Sequence, residues 1–342
     1  MANKNLNAAK AAKKDEFYTQ LSDIERELQH YWSHFRDKTV LCNCDDPYES
    51  NFFKYFALRF NQLGLKKLIC TCYDGSPVQG NELMLDFGDF SDEPKKIAYK
   101  VEITEVRDLN GDGAIDLSDV RILLQNDRNV ISTLRQHGDF RSQECIDLLK
   151  EADIVVTNPP FSLFREYLAQ LVEYEKNFLI VGNQNAVKYK EVFPLIMKNK
   201  IWLGHFAGSM KFVIPKIYDE RKTNIKTLED GTIISTMGNI RWFTNLDHSK
   251  RHEELDLVCH YSPEDYPRYD SYDAIEVGRI ADIPYDWSGA MGVPITFLDK
   301  YNPTQFEIIG VLNHGCDSIY DKAKPIIKGK ELYSRILIQR KY

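Results

Sequence analysis

Short apolar runs alternate with amphipathic segments through the first 195 residues of the chain. The apolar runs are residues 38–44, 67–73, 153–157 and 178–181. Their nearly continuous apolar character is typical of strands that are buried on both faces. Apolar residues at helical spacing occupy the segments 15–36, 50–63, 142–150 and 162–174. The alternation predicts an α/β fold with a parallel sheet covered by helices, and it places ligands at the carboxyl ends of the strands.

This pattern is interrupted at residues 76–137 and is lost after residue 196. Within the interruption, two hairpin-like strands are predicted around residues 83–90 and 97–106. After residue 196, Gly, Pro, Trp and Tyr are scattered among charged residues. The predicted regions are a flexible basic arm at 1–14, an α/β domain at 15–195 with an insertion at 76–137, an irregular region at 196–280, and a C-terminal segment at 281–342 that packs on the core.

The formal net charge of -7 conceals a strong segregation of charge along the chain. Residues 73–153 contain 18 Asp and Glu against 9 Lys and Arg, whereas residues 196–251 contain 10 Lys and Arg against 5 Asp and Glu. The first 14 residues contain four Lys and no acidic residue. A polyanion is attracted to the two basic parts of the chain despite the negative total charge. Composition therefore does not exclude a nucleic-acid partner.

The sequence also argues against membrane and secreted proteins. No apolar run approaches the ~18 residues that cross a bilayer, and residues 1–14 lack the apolar core of a signal peptide. The seven cysteines are an odd number for a disulfide framework, and reduced thiols are typical of the cytosol. We expect a globular, cytoplasmic protein.

The residues Asn158-Pro159-Pro160-Phe161 directly follow the predicted strand 153–157. Two prolines fix φ and keep the preceding residues extended, so the carbonyl of Pro159 is presented rigidly. That carbonyl and the Asn158 side-chain oxygen can accept both hydrogens of an exocyclic amine, while Phe161 offers a face for a planar base. Because methylation builds positive charge on the nitrogen, these acceptors stabilise the transition state more than the ground state. The motif predicts a catalytic site for amine methylation, and the alternative is a proline-stiffened turn.

Residues near the ends of the other predicted strands are candidates for binding a cofactor. They are Cys44, Asp45 and Asp46 after the first strand, Asp74 after the second, and Asp139 and Phe140 before the helix at 142–150. A carboxylate at such a position can accept hydrogen bonds from ribose hydroxyls, and an acid with a ring can hold an adenine. Acidic residues there can equally be turn formers. No Gly-x-Gly-x-x-Gly motif is present, which argues against a nicotinamide cofactor.

Several longer segments carry a more specific signal. They are Asp15–Thr19, Cys44–Pro47 with Ser50–Phe56, Gly138–Ser142, Thr157–Ser162, Ile201–Gly204, Trp242–Leu246 and Met291–Lys300. In this order along the chain, they resemble the EcoRI-type adenine-specific DNA methyltransferase family. The resemblance covers most of the chain, from residue 15 to residue 310.

The resemblance implies a Rossmann-like, S-adenosylmethionine-dependent methyltransferase sheet. It further implies transfer of a methyl group to N6 of an adenine that is flipped out of double-stranded DNA. Phe17, Tyr18, Thr19, Asp45, Asp46 and Asp139 would then line the donor pocket, and Asn158, Pro159, Pro160 and Phe161 would hold the adenine.

The same resemblance makes residues 196–280 an irregular target-recognition region. Arg241, Lys250 and Arg251 are the candidates for DNA contacts in this region, because Lys and Arg bind phosphates and base edges. Such an enzyme serves restriction-modification or epigenetic marking. We expect a monomer, with a cognate restriction endonuclease as a further partner that recognises the same DNA site.

Residues 108–119 depart from the family pattern and match a calcium-binding loop of the dockerin type, which ends in Asp. Oxygen ligands recur at loop positions 1, 3, 5, 9 and 12, and Gly stands at position 6. The predicted ligands are Asp108, Asn110, Asp112, Asp116 and Asp119, with Ala114 at the position that supplies a backbone carbonyl. A structural calcium ion is one prediction, and an Asx-rich turn is the other. The metal would not be catalytic, because methyl transfer from a sulfonium needs no Lewis acid.

Two other classes of function stay open on the sequence. The Asn-Pro-Pro-Phe motif also suits an RNA base or a protein glutamine amide, and a homologue without catalysis could simply bind DNA. The long basic stretch at 196–251 argues against a compact protein-modifying enzyme. The intact motif at Asn158–Phe161 argues against a silent homologue.

Overall fold

The computed structural model describes residues 18–44, 47, 50–73, 98–126, 131–213, 224–229, 231–313 and 320–342. The predicted basic arm, the predicted strand at 83–90 and the candidate residues Phe17, Asp45, Asp46 and Asp74 lie outside these ranges. The chain forms two compact units. Unit 1 is residues 1–183 with 208–246, and unit 2 is residues 184–207 with 247–342.

The strands of the described residues are numbered here in chain order. They are β1 Tyr18–Thr19, β2 Thr39–Cys42, β3 Lys67–Cys72, β4 Tyr99–Ile103, β5 Ile131–Thr133, β6 Ile154–Thr157, β7 Asn177–Asn183, β8 Trp202–Leu203, β9 Met210–Val213, β10 Ile225–Thr227, β11 Ile233–Met237, β12 Ile240–Thr244, β13 Ile275–Glu276, β14 Met291–Pro294, β15 Phe306–Leu312, β16 Asp321–Ala323, β17 Ile326–Ile327, β18 Lys330–Glu331 and β19 Arg335–Arg340.

The α-helices are numbered in the same way. They are α1 Leu21–Leu28, α2 Trp32–Phe35, α3 Asn51–Leu58, α4 Phe60–Leu63, α5 Leu117–Asn126, α6 Gln143–Glu151, α7 Phe164–Glu173 and α8 Phe193–Met197. Short 3-10 helices lie at Gln29–Tyr31, Gln184–Lys188, Ser249–His252, Ile280–Asp282 and Ile295–Lys300.

The large sheet of unit 1 contains strands in the order β5-β4-β3-β2-β6-β7-β12. Its centre is parallel, because β2 pairs in parallel with both β3 and β6, and β6 pairs in parallel with β7. The flanking pairs β3–β4, β4–β5 and β7–β12 are antiparallel. The parallel α/β core predicted from the apolar runs is confirmed, and antiparallel strands make the complete sheet a mixed one.

Capping residues set the boundaries of the helices that pack on this sheet. The side-chain oxygen of Ser50 accepts a hydrogen bond from the N–H of Phe53 at the start of α3, and Ser142 does the same for Cys145 at the start of α6. Such N-caps satisfy amides that have no partner inside the helix. Gly64 takes a left-handed conformation and ends α4. The helices α3 and α4 thus lie within the predicted segment 50–63, and α6 lies close to the predicted segment 142–150.

A second, antiparallel sheet in unit 1 has the order β1-β9-β11-β10. Tyr18 and Thr19 pair with Val213 and Phe212 in this sheet. The backbone N–H of Lys211 also donates to the Asp23 carboxylate of α1 at 2.7 Å. Part of the predicted irregular region is therefore folded onto the first described residues of the chain.

The structure divides the chain differently from the predicted boundary at residue 195. β12 pairs with β7 along its whole length, from Ile240 to Thr244, and every one of its residues is buried. Trp242 meets Phe52 edge-on, with 6.0 Å between ring centroids. Pairing between strands so far apart in sequence leaves no local signal, so the sequence pattern could not place these residues in the sheet.

Unit 2 is built on a sheet with the order β13-β14-β19-β15-β16, together with the β17-β18 hairpin. β19 pairs antiparallel with both β14 and β15, and its residues Ile336, Leu337 and Ile338 are completely buried. The predicted C-terminal segment thus supplies the centre of this unit's core. No helix in the described ranges is long and apolar enough to cross a membrane.

Candidate active site

The order of the central strands reverses at β2, because β3 lies on one side of β2 and β6 on the other. The register pairs Val40 with Ile154 and Leu41 with Val155, so the carboxyl ends of β2 and β6 lie side by side. In open α/β sheets, a crevice for ligands forms outside the carboxyl ends at such a switch point. Cys44 follows β2 and Asn158 follows β6, so the topology brings these two candidates to the same edge of the sheet.

Asn43, which the sequence did not single out, connects the two strand ends. The Thr157 hydroxyl donates a hydrogen bond to the backbone carbonyl of Asn43, and the Tyr167 hydroxyl donates one to its side-chain oxygen. Tyr167 belongs to α7 and is completely buried, and Asn43 and Thr157 are nearly so. Burial raises the pKa of Tyr167 well above its ordinary value, so this phenol remains a proton donor. The network fixes the loop after β2 relative to the loop after β6.

The Asn158–Phe161 motif begins directly after Thr157, which is the last residue of β6 and part of this hydrogen-bond network. Asn158 and Pro159 are buried, and Pro160 and Phe161 are half-buried. The carbonyl of Pro160 accepts a hydrogen bond from the N–H of Leu163 at 2.9 Å, which turns the chain into α7. The buried strand β6 is thus followed by Pro159 and Pro160 at the switch point, as the sequence predicts.

Gly138 packs the segment before α6 against the end of β3. Its φ of 70° lies in the left-handed region, and a Cβ there would stand 2.4 Å from the carbonyl oxygen of Cys72. Only glycine fits so close to another backbone in this conformation. The next residues, Asp139 and Phe140, are therefore held near the carboxyl end of β3.

Asp139 and Phe140 each have contacts within unit 1. The Arg141 guanidinium donates to both carboxylate oxygens of Asp139, at 2.8 and 2.6 Å. These hydrogen bonds hold the pKa of Asp139 below its ordinary value, so the carboxylate stays ionised. The Phe140 ring is buried and meets Tyr167 edge-on, with 5.1 Å between centroids. Through Tyr167, α7 thus contacts both the segment before α6 and Asn43 at the end of β2.

Tyr18 and Thr19 form β1, which is joined to the start of α3. The Asn51 side chain donates to the carbonyl of Thr19 at 2.8 Å. Thr19 is buried, and its hydroxyl oxygen forms no hydrogen bond with any residue that the structure describes. A buried hydroxyl of this kind can be satisfied by a polar group of a ligand. This hydroxyl fits the binding of a polar, nucleoside-containing donor.

The candidates for DNA contacts lie in less accessible places than the sequence predicts. Arg241 is buried in β12, where its guanidinium donates to the carbonyls of Gly238 and Ile240. Arg251 is also buried, and its guanidinium lies 3.4 Å from the centre of the Trp202 ring. Lys250 donates to the carbonyl of His205 at 2.9 Å. These contacts favour structural roles for the two arginines and leave DNA contact by the three residues a prediction.

The loop at 108–119 is ordered by its own side chains. Asp108 accepts hydrogen bonds from the N–H groups of Gly111 and Gly113, and Asp119 accepts from Leu109, Asn110 and Asp116. In the described part of the chain, no group of three or more His, Cys, Asp or Glu side chains is arranged to hold a metal. The helix α5 begins at Leu117, at the end of this loop.

A proline turn after β6, beside the end of β2 at the switch point of an α/β sheet, is the arrangement expected of the Rossmann-like class of methyltransferases. Residues 5–341 match the family described as adenine-specific methyltransferase EcoRI. The chain belongs to this family. Membership confirms the family, the fold class and the enzyme class predicted from the sequence, and it implies S-adenosylmethionine as the methyl donor.

Curated relatives are similar over nearly their full length. The type II methyltransferase M.EcoRI of Escherichia coli is 49% identical over 99% of this chain and 97% of the relative. The type II methyltransferase M.MpnI of Mycoplasma pneumoniae is 36% identical over 98% of both chains. M.MgeORF184P of Mycoplasma genitalium is 34% identical over the same shares. No solved structure matches the chain significantly.

The hydrogen bond between Tyr167 and Asn43 gives a prediction that separates the positioning of the catalytic loop from the stability of the fold. Tyr167→Phe removes one buried hydrogen bond, and we expect a loss of about 1–3 kcal/mol in the free energy of unfolding. Because α7, which follows the loop that carries Asn158, also loses its hydrogen bond to Asn43 after β2, kcat should fall about tenfold or more. Turnover and thermal melting measure the two effects.

Tyr55→Phe is the matched control. Tyr55 is also buried, and its hydroxyl accepts a hydrogen bond from Trp32 at 3.0 Å away from the strand ends. The Tyr55→Phe variant should lose a similar free energy of unfolding and keep the kcat of the wild type. Equal kcat in the two variants would restrict Tyr167 to a structural role.

Proposed function

We propose that this protein is a site-specific DNA methyltransferase that methylates N6 of an adenine flipped out of double-stranded DNA. The observation that carries the proposal is the placement of the buried Asn158 directly after β6, beside the end of β2 at the switch point. The adenine-specific family and the type II relatives support this choice of acceptor.

Asn158 and Pro159 hold the reacting amine in this proposal. The Asn158 oxygen and the Pro159 carbonyl accept the two amine hydrogens, which directs the nitrogen lone pair out of conjugation with the ring. Positive charge that develops on the nitrogen is stabilised by these two dipoles, which the proline turn has already oriented. Phe161, which is half-buried, offers its ring face to the base.

S-adenosylmethionine, when bound, supplies a methyl group on a sulfonium that departs as a thioether. Thr19 and Tyr18 on β1, Cys44 after β2, and Asp139 with Phe140 before α6 would hold it. The four further candidates, Phe17, Asp45, Asp46 and Asp74, would complete this pocket. The ionised Asp139 suits a hydroxyl or amine of the donor, because a carboxylate only accepts hydrogen bonds.

We further propose the setting in which the enzyme acts. It would work in the cytoplasm as a monomer, in restriction-modification or epigenetic marking. A cognate endonuclease would cut the same DNA site when that site is unmethylated.

Methyl transfer from labelled S-adenosylmethionine tests the function, with unmethylated genomic DNA, RNA and bulk protein as parallel acceptors. We expect label on DNA, and sequencing should map it to adenines in one recurring short sequence. Label on RNA or protein alone would show that the acceptor is not DNA and would overturn the proposal. Donor binding without any transfer would support the silent DNA-binding homologue.

Calcium at the loop 108–119 is a separate proposal, supported by the spacing of its ligands. An ion that binds only the folded state raises the melting temperature, because it stabilises that state increasingly as the ion concentration exceeds its Kd. We expect calcium to raise the melting temperature relative to a chelator, and Asp108→Ala to abolish that difference. Identical melting of the wild type in calcium and in chelator would leave the Asx turn as the sole account of the loop.

A further inference from the structure

The β17-β18 hairpin of unit 2 has a tight two-residue turn. Ile326 pairs with Glu331 and Ile327 with Lys330, so Lys328 and Gly329 alone form the loop. Their φ angles are 49° and 75°, both in the left-handed region. Two positive φ angles in a two-residue loop are the signature of a type I′ turn, whose twist matches that of the two strands.

The hairpin is attached firmly to the rest of unit 2. The carboxylate of Asp270 accepts hydrogen bonds from the turn N–H groups of Lys328 and Gly329, at 3.1 and 2.8 Å. The backbone N–H of Asp270 donates in turn to the carbonyl of Ile326 at 2.8 Å. Ile327 and Leu332 pack against the buried core of this unit. A two-stranded hairpin that is marginal alone is therefore held in one orientation.

The hairpin and the residues that follow it are basic in composition. Residues 320–342 contain seven Lys and Arg against two Asp and Glu, whereas residues 252–286 contain two against ten. Four of the cations are exposed lysines at and around the hairpin: Lys322, Lys324, Lys328 and Lys330. Within the described residues, none of the ion pairs of unit 2 involves these four side chains. Their charge is therefore directed to solvent.

Lys328 is an unusual residue for its backbone conformation. The first position of a type I′ turn favours Asn, Asp or Gly, because a longer side chain is strained at positive φ. The turn thus carries a cation where a better turn former would stabilise the hairpin. An outlier of this kind points to a use for the side chain.

We propose that this lysine hairpin binds backbone phosphates of the DNA duplex. A turn held in one orientation, with exposed lysines at and beside it, fits the regularly spaced phosphate charges of a duplex. Contacts with phosphates position a protein on DNA without reading the base sequence. This inference rests on the proposed function, since it takes duplex DNA as the substrate. It assigns a DNA contact to residues outside the predicted target-recognition region at 196–280.

The test is DNA binding by the double variant Lys328→Asn/Lys330→Gln as a function of salt, measured with a labelled duplex that contains the methylation site. Asn suits the left-handed position at least as well as Lys, so the variant should fold with an unchanged melting temperature. If both lysines contact phosphates, the slope of log K against log salt should fall by about 1.8. Affinity at about 0.15 M salt should fall roughly 30-fold. The kcat at saturating DNA should be unchanged.

The control is the double variant Lys38→Gln/Lys66→Gln, which removes the same charge. Lys38 and Lys66 precede β2 and β3, at the edge of the sheet opposite to Asn158. We expect the salt slope of the control to equal that of the wild type. An unchanged slope in the hairpin variant, or an equal loss in the control, would overturn the phosphate contact. Failure of the wild type to methylate DNA would instead overturn the proposed function.

Discussion

Asn158→Ala should reduce kcat by at least about 10²- to 10³-fold and leave DNA binding nearly intact. The variant loses one of the two acceptors aimed at the amine, and removal of one dipole directed at developing charge has an effect of this size in enzymes. DNA affinity is set mainly by phosphate contacts elsewhere, so it should change little. Single-turnover methylation and DNA binding measure the two quantities.

The control for this variant is Asn158→Asp. A carboxylate keeps an oxygen acceptor of the same size at this position, so the variant should retain more activity than Asn158→Ala. Retention of wild-type turnover by Asn158→Ala would contradict the assignment of the amine to this side chain.

Gly138→Ala should damage both stability and donor binding. The left-handed backbone costs an L-residue about 1–2 kcal/mol, and the new Cβ would stand 2.4 Å from the Cys72 carbonyl oxygen, which adds about 1–3 kcal/mol through overpacking. The segment must shift, and Asp139 and Phe140 shift with it. We expect the KM for S-adenosylmethionine to rise at least about tenfold.

Gly231→Ala separates the two causes. Gly231 has a similar φ of 81°, but no atom of the described residues outside its immediate chain neighbours lies within 4 Å of the position of its Cβ. The Gly231→Ala variant should lose only the free energy of unfolding that the left-handed backbone costs, and its KM for S-adenosylmethionine should be unchanged. An equal KM in wild type and Gly138→Ala would show that the segment before α6 does not contribute to the donor pocket.

The parallel core of the fold could be predicted because each of its elements has a strong local pattern. β6 and β7 are short apolar runs, and the helices α6 and α7 show apolar residues at helical spacing. The local pattern does not predict β12, because its partner β7 lies far away in the sequence. By local composition alone, its aromatic and charged residues are typical of an irregular region.

Arg241 and Arg251 show a further limit of sequence patterns. A cation in a basic stretch is expected at the surface. In the structure, Arg241 finds backbone acceptors inside unit 1, and Arg251 is stacked on Trp202 in unit 2. Only the three-dimensional contacts distinguish such arginines from the exposed lysines of the hairpin.

The candidate site was predictable to a different degree for each residue. Asn158–Phe161 could be identified because two prolines after an apolar strand restrict the backbone locally. Asn43 and Tyr167 could not, since an Asn after a strand and a Tyr in a helix are common. Their role depends on the pairing of β2 with β6 and on the packing of α7.

The identity of the methylated nucleoside tests the central claim most directly. The Asn158–Pro159 acceptors would suit the amine of cytosine as well as that of adenine, whereas the family is adenine-specific. Genomic DNA treated with the enzyme and labelled donor can be digested to nucleosides and separated by chromatography with mass detection. We predict that the label is recovered as N6-methyldeoxyadenosine. Recovery as N4-methyldeoxycytidine would contradict the assignment.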